Sequence, residues 1–297
     1  MRYIPLSNSV YKRNRRNFMD EMKGNSLAVF NSNDIYPVSA DSELPFEQHR
    51  DIFHLTGIDQ EETILLLYPA SKNYKTREIL FIRKSDNYTK VWEGEKLSKK
   101  QANELSGINN ICYVEDFKDI LSSIATKVDT FYINKNEHYR ANSPVETRED
   151  RFISWLLKKY PAHNIAKSNP ILQRQRSLKH PSEIDQIKRA CEITGKGFNR
   201  VLKFIKPNIW EYEIEAEFIH EFINNSSKGF AYSPIIASGN DNNVLHYIKN
   251  NKKCKSGELI LMDVGAEYGN YSSDMTRTVP VSGKFSKRQK QVYNAVL

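Results

Sequence analysis

The sequence lacks the cysteine pattern of a stapled secreted domain. Its three cysteines, Cys112, Cys191 and Cys254, are odd in number, far apart and form no CxxC. A disulfide framework is excluded, and a reducing cytoplasmic setting is expected. No apolar run is long enough to span a membrane, so no membrane partner is expected. Met1 to Asp20 is polar and basic without an apolar h-region, so no signal peptide is expected either. P-loop, GxSxG and GxGxxG patterns are absent, and no stretch repeats. His220-Glu221 opens like HExxH, but Asn224 stands where the second histidine belongs, which excludes the zinc-protease helix. Net charge is +8, from 44 basic and 36 acidic residues. The basic runs at Lys12-Arg13-Asn14-Arg15-Arg16 and Lys252-Lys253-Cys254-Lys255 read as solvated faces. With no recognisable nucleic-acid-binding motif, nucleic acid is not an expected partner.

What is present is an ordinary globular composition, 39% hydrophobic and 27% charged over 297 residues, enough for two domains and a large core. Helices are predicted at Ser9–Lys23, Ser98–Leu105 with Ser98 as N-cap, Glu115–Thr126 and Glu146–Tyr160. Strands are predicted at Leu27–Phe30, Thr63–Tyr68, Glu78–Ile82, Ile111–Val114 and Thr130–Ile133. This alternation implies a layered α/β domain over residues 1–170. Pro161 to Pro181 is proline-rich and marks the boundary near residue 170. Residues 171–297 follow as an α+β domain. It opens with a long helix from Ser182, ended by Pro207, and a second from Glu211 to Asn224. Strands are predicted at Ser233–Ala237 and Val244–Ile248, and a helix starts at Gln291.

The chemically loaded stretch is Ile260 to Thr278. An apolar run, Leu259 to Val264, ends in Asp263 and reads as a strand buried on both faces. An aspartate there is costly unless paired or bound to a metal. With Tyr268-Gly269 as the turn centre, Glu267 pairs with Asn270 and Asp263 lies directly opposite Asp274. Facing residues on an antiparallel pair have Cβ atoms about 5 Å apart, and like charges so placed repel. One or two hard divalent cations between them would relieve this. Gly265 shares a face with Asp263, and Ser272 and Thr276 share one with Asp274. The small, hydroxylated surroundings suit support of a metal. A solvated surface hairpin with splayed carboxylates is the alternative.

His246 falls in the strand predicted just before this hairpin. A strand histidine is more often structural, but its position also allows a proton-handling or substrate-contacting role. Ser238-Gly239 through Leu245-His246-Tyr247, Asp263-Val264-Gly265, and Asp274-Met275-Thr276-Arg277-Thr278 together resemble the first half of a pita-bread metallopeptidase catalytic domain. Lys179-His180-Pro181-Ser182-Glu183-Ile184 resembles the entry to its first long helix. Asp41-Ser42-Glu43-Leu44-Pro45-Phe46-Glu47-Gln48 with Phe53-His54-Leu55-Thr56-Gly57 resembles the N-terminal domain of the aminopeptidase P family. The resemblance implies two divalent metal ions, commonly manganese, with an activated water between them. It also implies release of an N-terminal residue that precedes proline. Asp263 and Asp274 would be metal ligands. His246 would contact substrate and stabilise the tetrahedral intermediate. Tyr232 and Thr276 match positions lining or supporting the site. Trp92 matches an aromatic that a neighbouring subunit contributes to the substrate pocket, implying a homo-oligomer, and Asp41 would approach the same pocket.

The family's site also uses a histidine and two glutamates from later strands, and nothing after Thr278 supplies them. The chain is therefore expected to be a C-terminally truncated form that binds metal weakly and has little activity. A prolidase- or creatinase-like hydrolase on the same fold stays open as an alternative. So does a metal-free peptide- or protein-binding module.

Overall fold

The computed structural model describes residues 2–138 and 143–297. It divides into two compact units. The first is Pro5–Lys179, and the second joins the residues up to Ile4 with His180–Leu297.

The first unit runs α1 (Asn8–Glu21), β1 (Ser26–Asn31), β2 (Pro37–Ser39), β3 (Ser42–Glu43), α2 (Arg50–Thr56), β4 (Ile64–Leu67) and β5 (Glu78–Ile82). It continues with α3 (Asn87–Trp92), α4 (Lys99–Ser106), β6 (Asn110–Tyr113), α5 (Phe117–Ala125), β7 (Thr130–Ile133), α6 (Arg148–Lys159), β8 (Asn164–Lys167) and α7 (Asn169–Ser177). Six strands form one sheet in the order β6-β5-β4-β1-β7-β8. Neighbours pair in parallel except where β4 inserts antiparallel between β1 and β5. The central strands are buried on both faces, as such a sheet requires. Ala28, Phe30, Leu65 and Leu80 join one core cluster. Leu27, Val29, Leu66 and Phe81 join the other.

Ser98 and Thr147 close capping boxes at the starts of α4 and α6, satisfying orphan helix N–H groups. The unit ends at Lys179, beyond the boundary expected near residue 170, because Ile171 and Leu172 of α7 are buried in its core. Sequence patterning also left α2, α3, β8 and the small β2–β3 hairpin unassigned.

Arg15 holds four of these elements together. Its side chain is fully buried on α1. Nη1 donates to Leu55 O (2.8 Å) and Ser106 O (3.0 Å), carbonyls at the ends of α2 and α4, and Nη2 lies 3.0 Å from Glu78 Oε2 on β5. Burial pulls its pKa down, and the Glu78 charge opposes that.

The second unit runs α8 (Pro181–Phe204), α9 (Glu211–Asn224), β9 (Ile235–Ser238), β10 (Leu259–Val264), β11 (Glu267–Tyr268), β12 (Tyr271–Ser272), β13 (Met275–Pro280) and α10 (Lys287–Val296). β9, β10 and β13 form an antiparallel sheet in the order β13-β10-β9. Ile260, Met262 and Val264 enter a core shared with Ile193, Phe198 and Val201 of α8 and Phe218 and Phe222 of α9. Gly197 permits this packing, since a Cβ there would come within 2.8 Å of Phe222 and 2.9 Å of Phe218. β10 alternates between half-buried and buried residues. It is covered fully on one face, not on both as its apolar composition implied. The predicted strand Val244–Ile248 is a turn and loop. Among the described residues no helix is long and apolar enough to cross a membrane.

Replacing Arg15 with methionine would leave two helix-end carbonyls and Glu78 without their shared donor. We expect a loss of about 3 kcal/mol, the lower end for breaking a buried pair, because Glu78 retains some water. Urea unfolding of the first unit's transition measures it, and a change under 1 kcal/mol would reject the assigned role.

Candidate metal centre

The site begins with a turn. Gly269 and Asn270 both have positive φ, 59° and 69°, so they are the two central residues of a type I′ hairpin turn. Tyr268 then pairs with Tyr271, and Glu267 with Ser272. The expected centre at Tyr268-Gly269 is one residue early, because asparagine, like glycine, tolerates the left-handed region. Glu267 still meets Asn270, but through its carboxylate, which accepts the Asn270 N–H.

The same register continues into β10 and β13, where Asp263 faces Thr276 and Val264 faces Met275. Asp263 is therefore not directly opposite Asp274. The ladder is shifted by two residues from the expected one. A two-residue shift keeps each side chain on its face, whereas a one-residue shift would reverse it. Asp274 thus lies diagonally from Asp263, on the same side.

Tyr232 shows where the two carboxylates point. Its phenol Oη lies 2.6 Å from Asp263 Oδ1 and 3.1 Å from Asp274 Oδ1, with the hydroxyl donating. Burial, then the two carboxylates, raise the phenol pKa, so it remains a protonated donor at neutral pH. Tyr232 is brought there by the segment before it. Phe230 forms an antiparallel bridge with Ala266, and Ala231 N donates to Gly265 O at 2.8 Å. Gly265 is required sterically, because a Cβ would meet the Ser273 carbonyl at 1.8 Å and the Tyr232 ring at 3.2 Å.

Beneath the hairpin, Thr194 Oγ1 and Ser273 Oγ lie 2.7 Å apart, and both accept from Ala266 N, at 2.9 and 3.0 Å. These two buried hydroxyls were not singled out from sequence. Thr194 sits in the apolar stripe of α8, where nothing local marks it.

Asp263 is half-buried, while Asp274 and Thr276 are exposed. One phenol proton is shared by two carboxylates, leaving most of their acceptor capacity free for a hard cation. Among the described residues no group of three or more His, Cys, Asp or Glu could hold a metal ion. Asp263 and Asp274 are, chemically, oxygen donors of the kind a hard divalent cation takes. His246 is exposed, lies in a loop and makes no hydrogen bond among the described residues. Trp92 and Asp41 belong to the first unit. Trp92 is 73% exposed at the end of α3, its ring 6.1 Å from that of Tyr88. Asp41 is at the exposed tip of the β2–β3 hairpin.

Both parts of the chain match known families. Residues 11–132 match the aminopeptidase P N-terminal domain, and residues 185–297 match metallopeptidase family M24. A Bacillus anthracis structure assigned to aminopeptidase P superposes with a TM-score of 0.91 at 30% identity, covering 98% of this chain and 69% of that one. The chain belongs to the aminopeptidase P family. The Xaa-Pro aminopeptidase of Escherichia coli is 29% identical over 298 residues, 98% of this chain and 66% of that protein. A zinc-substituted Escherichia coli aminopeptidase P in complex with product superposes with a TM-score of 0.88 at 28% identity, covering 99% of this chain and 67% of that one. The chain spans between half and two thirds of the curated relatives it matches. The mixed α/β fold with an N-terminal domain ahead of a pita-bread-type domain is thereby established.

Tyr232→Phe removes the phenol proton shared by the two carboxylates. In EDTA we expect a destabilisation of about 1 kcal/mol, modest because Asp274 is solvated. Manganese should then raise the melting temperature of the variant more than that of the parent chain. Equal shifts in calorimetry would argue against a cation site at the phenol position.

Proposed function

We propose that the protein of which this chain forms a part is a manganese-dependent Xaa-Pro aminopeptidase, acting on peptides with proline at the second position. The supporting observation is the convergence of Asp263 and Asp274 on a single point, within a chain of this family. When bound there, divalent metal would polarise the scissile carbonyl and lower the pKa of a water. The chain's residues supply the rest. Asp263 and Asp274 hold the cation in place of the Tyr232 proton. Tyr232 and Thr276 line the same face. His246 projects from an exposed loop and donates to the carbonyl oxygen as negative charge develops on it.

Trp92 fits a role at a second subunit's pocket. It is presented to solvent with Tyr88 and Val91, 70% and 80% exposed, an apolar patch suited to burial in a homo-oligomer. Asp41, on its exposed hairpin, accompanies it. The free thiols of Cys112, Cys191 and Cys254 suit a cytoplasmic enzyme. The unit Pro5–Lys179 would then carry oligomerisation, and the unit containing His180–Leu297 the metal-binding part of the catalytic domain.

Two carboxylates alone hold a divalent ion weakly. We expect this chain to bind manganese with a dissociation constant of about 10⁻⁴ M or weaker, and Asp263→Asn to weaken it by at least about tenfold, one ligand being worth 1.4 kcal/mol or more. Electron paramagnetic resonance titration of free manganese measures both. Equal binding by the parent and Asp263→Asn would remove the ligand assignment. Little hydrolysis of an Xaa-Pro dipeptide is expected from the chain, and robust turnover would show that these two ligands suffice.

A further inference from the structure

We propose that Glu211 is a positioning residue for His246, fastening the loop that carries it to the N-terminus of α9. The proposal rests on the reading that His246 works beside the Asp263–Asp274 pair. Among the described residues His246 makes no hydrogen bond of its own. It lies in a loop without strand pairing, between Leu245 at 87% exposure and Tyr247 at 7%. The next residue supplies the anchor.

Tyr247 Oη donates to Glu211 Oε2 at 2.7 Å, and Lys252 N donates to the same oxygen at 2.9 Å. The other oxygen, Oε1, accepts from Ser238 N at 2.8 Å and Ser238 Oγ at 2.7 Å. One fully buried carboxylate thus binds the beginning, the middle and the end of the segment from Ser238 to Lys252. Glu211 N also donates to Lys252 O at 2.9 Å. The carboxylate sits at the first residue of α9, where the helix dipole favours negative charge.

A second fastening lies nearby. Asn250, with φ 44°, accepts from Ile236 N at 3.0 Å and donates to Pro234 O at 3.0 Å and to Glu215 Oε2 at 2.8 Å. The last of these partners is one turn along α9 from Glu211. Asn250 keeps the loop attached to the unit when Glu211 is altered. The effect of an alteration is therefore displacement of the loop and not its loss.

Two of the four donors to Glu211 are backbone N–H groups, Ser238 N and Lys252 N, which can only donate. The other two are hydroxyls, which can turn and accept, and Tyr247 has a second acceptor in Asn251 Oδ1 at 3.4 Å. With its oxygen kept on Ser238, a glutamine turns its NH₂ towards the Lys252 N–H, and donor meets donor there. Glu211→Gln therefore loosens the Lys252 end of the loop that carries His246 while nearly preserving shape.

The test is proton NMR of the histidine rings and backbone amides of the whole chain, with substoichiometric manganese as a paramagnetic probe. In the parent chain the ring protons of His246 should broaden, and Asp263→Asn should abolish the broadening. In Glu211→Gln, manganese affinity should stay within twofold. His246 broadening should fall at least threefold, and the hydrogen-bonded amides of Tyr247 and Lys252 should exchange at least tenfold faster, with β10 and β13 amides unchanged. Should Glu211→Gln fail to fold, Tyr247→Phe removes one donor and should give a smaller change of the same kind. Unaltered broadening and exchange in the folded variant, with manganese bound, would overturn the role of Glu211. Absence of Asp263-dependent broadening of His246 in the parent chain would instead overturn the reading on which it rests.

Discussion

The turn at Gly269–Asn270 is the constraint from which the carboxylate-bearing face follows. Two successive left-handed residues leave only one pairing for Tyr268, and the ladder from there to Asp263 and Thr276 has no freedom to slip. The carboxylates of Asp263 and Asp274 meet at the Tyr232 phenol because of that register, not because either is attracted to the other. Gly265 makes the crossing possible, since its missing Cβ lets the Ser273 carbonyl approach. Thr194 and Ser273 fix the backbone from below with hydroxyls that could not serve as metal ligands of comparable strength.

Two acidic systems in the second unit differ in a way that separates scaffold from reactive chemistry. Glu211 is fully buried, and its oxygens are saturated by donors from Ser238, Tyr247 and Lys252. It has no capacity left for a ligand. Burial and the Glu211 charge keep the Tyr247 phenol protonated, and the same two influences push the neighbouring Cys254 thiol up to about 11. Asp263 and Asp274 share one proton donor on a half-open face. Carboxylates whose lone pairs are spent hold a fold together, and carboxylates with lone pairs to spare are open to a ligand.

Much of the architecture was legible because local signals and tertiary contacts agree. Glu211–Asn224 and Thr130–Ile133 have the expected bounds, and Ser98 caps α4 as its side chain predicts. Val244–Ile248 resembles a strand in composition, but β9 has no further neighbour in its sheet and Asn250 turns the chain left-handed. The carboxylate pair was recognisable by type and face. Its exact facing partner was not, because the choice between Gly269 and its neighbours decides the register. Glu211 was not recognisable as special. An acid in the first turn of a helix is commonplace, and its partners lie 27, 36 and 41 residues away.

Tyr3 and Ile4 belong to the unit that His180–Leu297 builds, not to the unit that follows them in sequence. Tyr3 packs edge-on against Tyr268 at 6.3 Å, and Ile4 N donates to the Tyr268 hydroxyl across 264 residues of sequence. During synthesis from the N-terminus, the first unit has all its strands before that hairpin exists. Tyr3 therefore meets Tyr268 only once translation has passed the carboxylate-bearing ribbon, so the strap over the Gly269 turn closes after the strands of the first unit have all been made.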